Sequence, residues 1–258
     1  MNIQYISDLH LEFYDGEIDP EQFVTPVAPY LVLAGDIGIP ERKNYSAFLR
    51  WCSDHWKHVF VVAGNHEYYS KTVDMPTKLQ RMREICGALP TVSFLDCDTV
   101  LLPEHNLRIL GCTLWSFIPD NVKEKAVQYM NDTNHMYKSP TEHFTPWDMT
   151  EAFAKQRVWL SSEIDKCAAA KERCLVVTHY LPLYSLIAEQ YKGHLLNACF
   201  ASDCEDLLRP PVCGWICGHT HTGMAVTIQG IPCCINPYGY PREDVETRCK
   251  TATLHLEN

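Results

Sequence analysis

The amino-acid sequence predicts an α/β protein, because short apolar runs of strand type alternate with stretches whose apolar residues recur at helical spacing. The chain has 258 residues, 46% of them hydrophobic, which is enough to bury a large core. It shows no internal repeat and no linker rich in Gly, Pro and Ser. We therefore expect a single domain that spans residues 1–258.

The first third of the chain predicts the order strand, strand, helix, strand, helix. The corresponding segments are, in order, IQYI, YLVLAG, AFLRWCSDHW with Phe48, Leu49, Cys52 and Trp56 on one face, VFVVAG, and a helix at about 76–86. Three further strands are expected in the runs VSFLD, TVLLP and LRILGCTLW. These elements suit a sheet with helices packed against it.

The second half predicts one long helix and several strands. The helix is expected to begin near Thr150, because Phe153, Leu160 and Ile164 recur at helical spacing. The strands that follow are CLVVTH, GWICGHTH, MAVTIQGIPCCINP and TATLHL. The polar segment at about 118–147 is weakly patterned and contains three prolines, so we interpret it as an insertion, either a surface excursion or a cap over a site.

Charge and hydropathy exclude two classes of partner. The formal net charge is -10 and no basic cluster is present, which argues against a general nucleic-acid-binding protein. No apolar run approaches the roughly 20 residues of a membrane span, so no membrane partner is expected. The amino-terminal MNIQYISDLH lacks the features of a secretory signal. We expect a cytoplasmic protein, and the sequence leaves its oligomeric state open.

The cysteines are expected to be reduced thiols of the core. There are 13, an odd number, scattered along the chain, which does not suit a disulfide framework. Two pairs could suggest zinc, Cys213 with Cys217 and Cys233 with Cys234, but both lie in runs of strand type. Free cysteine behaves as a small hydrophobic residue, so we interpret them as core residues.

Five apolar strands each end in side chains that can bind metal or transfer a proton. The residues are Asp8 and His10, Asp36, Asn65 and His66, His179, and His219 and His221. A lone Asp or His after a strand usually caps a helix, but strand ends meet at one edge of a sheet, so this set is expected to converge. Asp8 and His10 are two positions apart and would share one side of an extended chain. Glycine precedes Asp36, Asn65 and His219, which would let backbone segments approach closely.

The donor atoms of this set suit two metal ions. Without His66 it contains two Asp, one Asn and four His and no Cys, a mixture of oxygen and nitrogen that favours Mn, Fe, Zn, Ni or Co. Seven ligands exceed one coordination shell that keeps a position open for water. Two ions roughly 3.5 to 4 Å apart, with a shared hydroxide, are the arrangement used for displacement at phosphorus.

The ordered series Asp8-x-His10, Gly35-Asp36, Gly64-Asn65-His66-Glu67, His179 and Gly218-His219-x-His221 resembles the calcineurin-like metallophosphoesterase superfamily. The resemblance implies a four-layer αββα sandwich of two mixed β-sheets flanked by helices. It also implies two divalent or transition metal ions, Mn foremost, with Fe, Zn, Ni, Co or Mg as alternatives. The implied activity is hydrolysis of phosphoester bonds by a hydroxide that bridges the two ions, on a phosphorylated and small substrate.

Matched position by position, the resemblance assigns a role to each residue. Asp8, His10, Asp36 and His221 would hold the first ion, and Asp36, Asn65, His179 and His219 the second. Asp36 would bridge the ions, and Asp36, Asn65 and His66 would be the catalytic residues. His66 would be the general acid for the leaving-group oxygen, and Glu67 would orient its neighbours without binding metal.

Departures from the pattern narrow the alternatives. The segment GDIGIPERK lacks the Asp-Arg pair of the protein Ser/Thr phosphatases, and the block at His179 reads VVTHYLP, which favours the small single-domain phosphoesterases. The RNA-lariat debranching variant of the superfamily has Cys at the position of Asp8, so the sequence does not support that variant. Two alternatives stay open: a phosphodiesterase or nuclease acting on nucleotides, and a catalytically silent metal-binding scaffold. Such scaffolds typically lack one or more ligands or the proton donor, whereas all five blocks are complete in this sequence. Substrate roles are also open for Tyr180, Tyr184, His135 and Arg242, for which packing or surface roles are favoured.

Overall fold

A computed structural model describes residues 1–245 and 248–257. The strands, in chain order, are β1 (Asn2–Ile6), β2 (Tyr30–Ala34), β3 (His58–Val62), β4 (Val92–Phe94), β5 (Asp98–Leu102), β6 (Leu107–Gly111), β7 (Tyr137–Ser139), β8 (Glu142–His143), β9 (Arg173–Val177), β10 (Val212–Cys217), β11 (Met224–Ile228), β12 (Ile231–Ile235) and β13 (Thr253–His255). The α-helices are α1 (Lys43–His55), α2 (Met75–Gly87), α3 (Asp120–Tyr129), α4 (Asp132–His135) and α5 (Pro146–Ala170). The predicted alternation of strands and helices is confirmed.

The strands form two large mixed sheets and one small hairpin. The first sheet has the order β13-β1-β2-β3-β4, in which β1 to β4 are parallel and β13 is antiparallel. The second has the order β11-β12-β10-β9-β6-β5, with a parallel centre and an antiparallel strand at each edge. The hairpin pairs β7 with β8.

The sheets are stacked face to face, with helices outside them. Val32 of β2, Val177 of β9 and Ile216 of β10 belong to one buried cluster between the sheets. On the outer faces, α1 contacts β3, α2 contacts β4, and α5 contacts β6 and β9. The arrangement is the four-layer αββα sandwich, since the central strands of both sheets bury both faces and alternate their side chains between two apolar layers.

The long helix α5 begins at Pro146, four residues before the position that periodicity indicated. Thr145 accepts a hydrogen bond from the backbone N–H of Asp148, whose side chain accepts one from the backbone N–H of Thr145 at 2.9 Å. This capping box and the proline at the first helical position define the start. The apolar pattern missed it because a polar first turn carries no hydrophobic periodicity.

The segment at about 118–147 is more regular than its sequence pattern indicated. It contains α3, α4 and the β7–β8 hairpin, and it buries Val122, Ala126, Met136 and Phe144. The elements are too short to produce a clear period in the sequence. Helix α3 contacts the short 3-10 helix Leu195–Cys199, so two separate segments meet beside the strand ends.

The cysteines are free thiols, as predicted, and ten of the 13 are buried. Cys217 lies in β10, and Cys233 and Cys234 lie in β12, each less than a tenth exposed, whereas Cys213 of β10 is only partly buried at the edge of the core, less than predicted. Burial raises the pKa of the Cys233 thiol to about 12. None of the helices in the described part of the chain is long and apolar enough to cross a membrane.

Candidate metal centre

The predicted residues come together where five parallel strands end. Strands β1, β2 and β3 of the first sheet and β9 and β10 of the second direct their carboxyl ends to the same edge of the sandwich. Their donor atoms form three groups, each with atoms within 4.8 Å of one another. The groups are Asp8 with His10 and His221, Asp36 with His179 and His219, and His10 with Glu12 and His66.

The first group is arranged around His221. Its Nε2 lies 3.5 Å from Asp8 Oδ1 and 3.0 Å from His10 Nε2. On its other side, the Nδ1 of His221 is 2.6 Å from Glu243 Oε2. A carboxylate at Nδ1 keeps the proton there and leaves Nε2 as a lone-pair donor facing the group.

The second group is arranged around His179, which is fully buried. Its Nε2 lies 3.5 Å from Asp36 Oδ2 and 3.1 Å from Asn65 Oδ1, and its Nδ1 donates to the carbonyl of Ala34 at 2.9 Å. The Nε2 of His219 is buried and has no hydrogen-bond partner within the described residues. A buried nitrogen without a partner is costly, and a metal ion would satisfy it.

Asp36 connects the two groups. Its Oδ2 lies 3.9 Å from His10 Nε2 in the first group, besides its contact with His179 in the second. Burial disfavours the charged carboxylate, but His179 and His66 outweigh it and hold the pKa of Asp36 well below its usual value. A permanently ionised carboxylate between two sets of imidazoles is suited to sharing its charge between two cations.

The backbone at the strand ends is left-handed, which corrects one step of the sequence argument. Strand β1 ends at Ile6, and Asp8 and His10 have φ angles of 56° and 50°. They therefore approach each other through a tight loop and not by alternation along an extended chain. Asp36, His219 and His221 also have positive φ angles, of 53°, 74° and 49°.

Glycines permit the close approach of these loops, as predicted. A Cβ on Gly64 would lie 2.1 Å from Asp36 Oδ1, and one on Gly35 would lie 2.4 Å from the ring of His179. A Cβ on Gly218 would meet Ser7 and Asp8 within 2.8 Å. Each clash would displace a candidate ligand.

His66 sits beside the metal groups and is held by Glu12, a residue that the sequence analysis missed. The Nδ1 of His66 lies 2.8 Å from Glu12 Oε1, and its backbone N–H donates to Asp36 Oδ1 at 2.8 Å. Burial lowers the pKa of His66, but Asp36 and Glu12 outweigh it, so the net shift is upward. Glu12 also contacts His10 Nδ1 at 3.3 Å. A signal existed, because Glu12 continues the spacing Asp8-x-His10-x-Glu12.

Glu67 orients backbone, in agreement with the role expected of it. Its carboxylate accepts hydrogen bonds from the N–H groups of Gly64 and Ile37 at 2.7 Å each, Asp36 at 3.0 Å and Gly38 at 3.3 Å. Burial and the nearby Asp36 raise the pKa of Glu67 to about 7. Two loops that carry candidate ligands are thereby joined through one side chain.

Asn65 is oriented by Asp132, which comes from helix α4 of the insertion and was also missed. Asp132 Oδ1 accepts from Asn65 Nδ2 at 2.9 Å and from the hydroxyl of Tyr69 at 2.5 Å. Because the amide nitrogen is engaged there, the amide oxygen faces His179. No sequence spacing signalled Asp132, which lies in a weakly patterned polar segment.

The remaining residues of interest occupy mixed positions. Tyr180 is fully buried with its ring 4.1 Å from that of His219, which is the packing role that was favoured. Tyr184 is 42% exposed, and His135 is half-buried and stacks on Tyr69. Arg242 is exposed, as its predicted surface role requires.

Comparison with known proteins gives a family and a fold. The model of the calcineurin-like phosphoesterase family matches residues 1–223, which include every predicted ligand. An uncharacterized protein of Acanthamoeba polyphaga mimivirus is 26% identical over 270 residues, covering 93% of this chain and 92% of its own.

Two solved structures have similar folds. A phosphopantetheinyl hydrolase from Mycobacterium tuberculosis gives a TM-score of 0.70 at 18% identity, covering 93% of this chain and 90% of its own. A dimetal phosphatase from Danio rerio gives a TM-score of 0.57 at 18% identity, covering 99% of this chain and 92% of its own. With the strand-end cluster of Asp, Asn and His already described, these findings show that the chain belongs to the calcineurin-like phosphoesterase family and is a metal-dependent phosphoesterase.

Proposed function

We propose that this protein hydrolyses phosphate esters of small molecules at a two-metal centre, with His66 as the general acid. The observation that carries the proposal is the position of Asp36, whose carboxylate contacts both groups of candidate ligands. The unpartnered Nε2 of His219 and the mixed oxygen and nitrogen donors support metal occupancy. Mn is the first candidate for the metal, followed by Fe, Zn, Ni, Co and Mg.

The ligands divide into two sets that share Asp36. Asp8, His10 and His221 would hold one ion with it, and Asn65, His179 and His219 would hold the other. When bound, two such cations neutralise the charge of the phosphate and acidify a water molecule for attack on phosphorus. The chain's own contribution is to fix these donors in place through the contacts of Glu67, Glu243 and Asp132.

His66 would give its proton to the leaving-group oxygen. Glu12 engages its Nδ1, so Nε2 is directed to the side of Tyr240, whose hydroxyl lies 3.3 Å away. The upward shift of its pKa favours the protonated ring that an acid requires. The third group, His10 with Glu12 and His66, is better explained by hydrogen bonding than by metal, because Glu12 Oε1 lies within hydrogen-bond distance of both Nδ1 atoms.

The domain organisation belongs to the same proposal. We propose one domain over residues 1–258, in which the segment at about 118–147 caps one side of the site. Support comes from the buried cluster shared by both sheets and from Asp132, which reaches Asn65 from within this segment. A cytoplasmic location stays a prediction.

The proposal is tested by removing and restoring metal. Protein dialysed against a chelator should lose turnover of p-nitrophenyl phosphate and bis-p-nitrophenyl phosphate, and Mn²⁺ should restore it at close to two ions per chain. The two esters separate monoesterase from diesterase activity. Turnover that survives verified metal removal would contradict the mechanism. Absence of turnover with every divalent metal, on these esters and on nucleotides and phosphopeptides, would favour the silent scaffold.

A further inference from the structure

A cavity of about 640 Å³ lies directly over the candidate metal centre. Asp36, Asn65, His66, His219 and His221 form its floor. Its walls come mainly from two segments outside the large sheets, residues 129–132 of the insertion and residues 187–200 after His179, and Tyr69, Tyr240 and Glu243 also line it. A volume of this size accommodates a small organic molecule in addition to a phosphate.

The walls are mainly apolar and aromatic. The side chains concerned are Tyr129, Met130, Ile187, Tyr191, Leu196 and Phe200. Phe200 lies 5.0 Å from the ring of His219, measured between centroids, so the apolar wall reaches the floor of the cavity. Tyr129 and Tyr191 are 64% and 55% exposed, which leaves two large rings open for contact at the cavity.

The walls contain no Lys or Arg among the described residues, and His194 is their one imidazole. Asp132 and Glu243, which also line the cavity, are acidic. A phosphate at the floor would be neutralised by the metal ions and His66. Apart from the imidazole of His194, a second anionic group on the substrate would meet acidic and uncharged side chains and would lose hydration without a Lys or Arg to compensate.

Resting on the proposed function, we infer that the substrate is a phosphoester whose leaving group is uncharged and has an aromatic or otherwise apolar portion. This portion would lie between residues 129–132 and residues 187–200, against Tyr191 and Phe200. Nucleoside polyphosphates, acidic phosphopeptides and sugars with several phosphates are disfavoured because each carries additional negative charge into a cavity without Lys or Arg.

The test compares two esters whose leaving groups differ in apolar area and in charge at the far end. The Mn²⁺-loaded protein is assayed with 2-naphthyl phosphate and 4-carboxyphenyl phosphate, and the affinities of the matching 2-naphthyl and 4-carboxyphenyl phosphonates are measured by calorimetry. We expect the naphthyl ester to be favoured in kcat/KM by at least about tenfold, and the naphthyl phosphonate to bind more tightly. Equal kcat/KM values, or a preference for the carboxylated ester, would overturn the inference.

Two substitutions locate the preference in the wall. Tyr191→Ala should reduce the preference for the naphthyl ester by roughly two- to tenfold, the range for loss of an aromatic contact. Tyr184→Ala is the matched control, because Tyr184 is an exposed tyrosine shortly before residues 187–200 and does not line the cavity. The control should keep the preference. An equal effect of both substitutions, or no effect of Tyr191→Ala, would show that the wall does not set the specificity.

A gain-of-function variant tests the role of charge. Leu196→Arg places a cation in the wall and should increase kcat/KM for the carboxylated ester relative to the naphthyl ester. No change in this ratio, with metal content intact, would contradict the electrostatic argument. If neither these esters nor the wider panel of nitrophenyl esters, nucleotides and phosphopeptides is hydrolysed with any metal, the proposed function fails. The phosphonate affinities then decide the inference by themselves, and equal affinities or no binding would overturn it.

Discussion

Among single residues, Asp36 and His66 lie next to each other, but the proposed function gives them separate tasks. The Oδ2 of Asp36 faces imidazoles of both groups of candidate ligands. Its Oδ1 accepts a hydrogen bond from the backbone N–H of His66. The imidazole of His66 is held on its far side by Glu12. These contacts support the proposal that Asp36 binds metal and that His66 meets the substrate.

The two tasks predict different defects. Asp36→Asn removes a negative charge between two cations and should lower metal content at both sites. His66→Ala should keep close to two ions per chain while losing roughly 10² to 10⁴ in kcat on an alkyl ester. The loss should be smaller on a nitrophenyl ester, whose leaving oxygen needs little protonation. Metal stoichiometry and kcat on both esters decide the matter, and an emptied site or equal losses would refute the role of His66.

Glu12 is expected to act through His66. Glu12→Gln keeps an oxygen near the imidazole but removes the carboxylate, so we expect kcat to fall by about tenfold. In the His66→Ala background the same substitution should have little further effect, because the residue it positions is absent. Glu12 also contacts His10, so metal content is measured in all four proteins. Additive losses at constant metal content would show that Glu12 acts elsewhere.

At the scale of elements, helix α4 supports a ligand from outside the sheets. Asp132 is buried and engages both the amide nitrogen of Asn65 and the hydroxyl of Tyr69. Loss of such an outer partner typically reduces metal affinity or activity by about 10- to 100-fold. Asp132→Ala should therefore weaken the affinity of one of the two ions by that factor. Asp120→Ala, at an exposed aspartate of α3, is the control, and equal affinities in both variants would refute the role.

Periodicity predicted the strands and the long helices, but it did not predict the insertion. The strands around the site are buried on both faces and appear as continuous apolar runs, as YLVLA of β2 illustrates. Helix α4 has only four residues and strand β8 has two, too few to establish a period. Contacts such as that of Asp132 with Asn65 join distant parts of the chain, and only the folded structure brings them together.

For the whole molecule, parallel topology explains why the convergence of the candidate ligands could be predicted. Residues as far apart as Asp8 and His221 meet because β1 and β10 end at the same edge of the sandwich. Glu243 could not be found in this way, since it lies in a loop between β12 and β13 and follows no strand of the central set. The sequence can predict that residues at the ends of parallel strands meet at one edge of the sandwich. It cannot predict that a distant loop folds back to the same edge.

The buried thiols predict the reactivity of the folded protein. Ten cysteines are buried, and burial raises the pKa of thiols such as Cys217 well above its ordinary value. A disulfide reagent at neutral pH should react quickly with the exposed Cys249 and slowly with the buried set. Unfolding should release all 13 thiols. Rapid reaction of the buried set would contradict the assignment of Cys217, Cys233 and Cys234 to the core, and displacement of bound metal by alkylation would show that thiols, the partly buried Cys213 included, bind metal.

The left-handed backbone at Asp8, His10, Asp36, His219 and His221 has a consequence for protein engineering. An ordinary residue in this conformation costs about 1–2 kcal/mol, so the loops would relax to other shapes without the surrounding packing and glycines. Transplanting only the side chains onto the strand ends of another scaffold would direct their Cβ atoms elsewhere. A designer who wants this centre in a new host must copy the loops together with Gly35, Gly64 and Gly218, because the backbone sets the aim of every ligand.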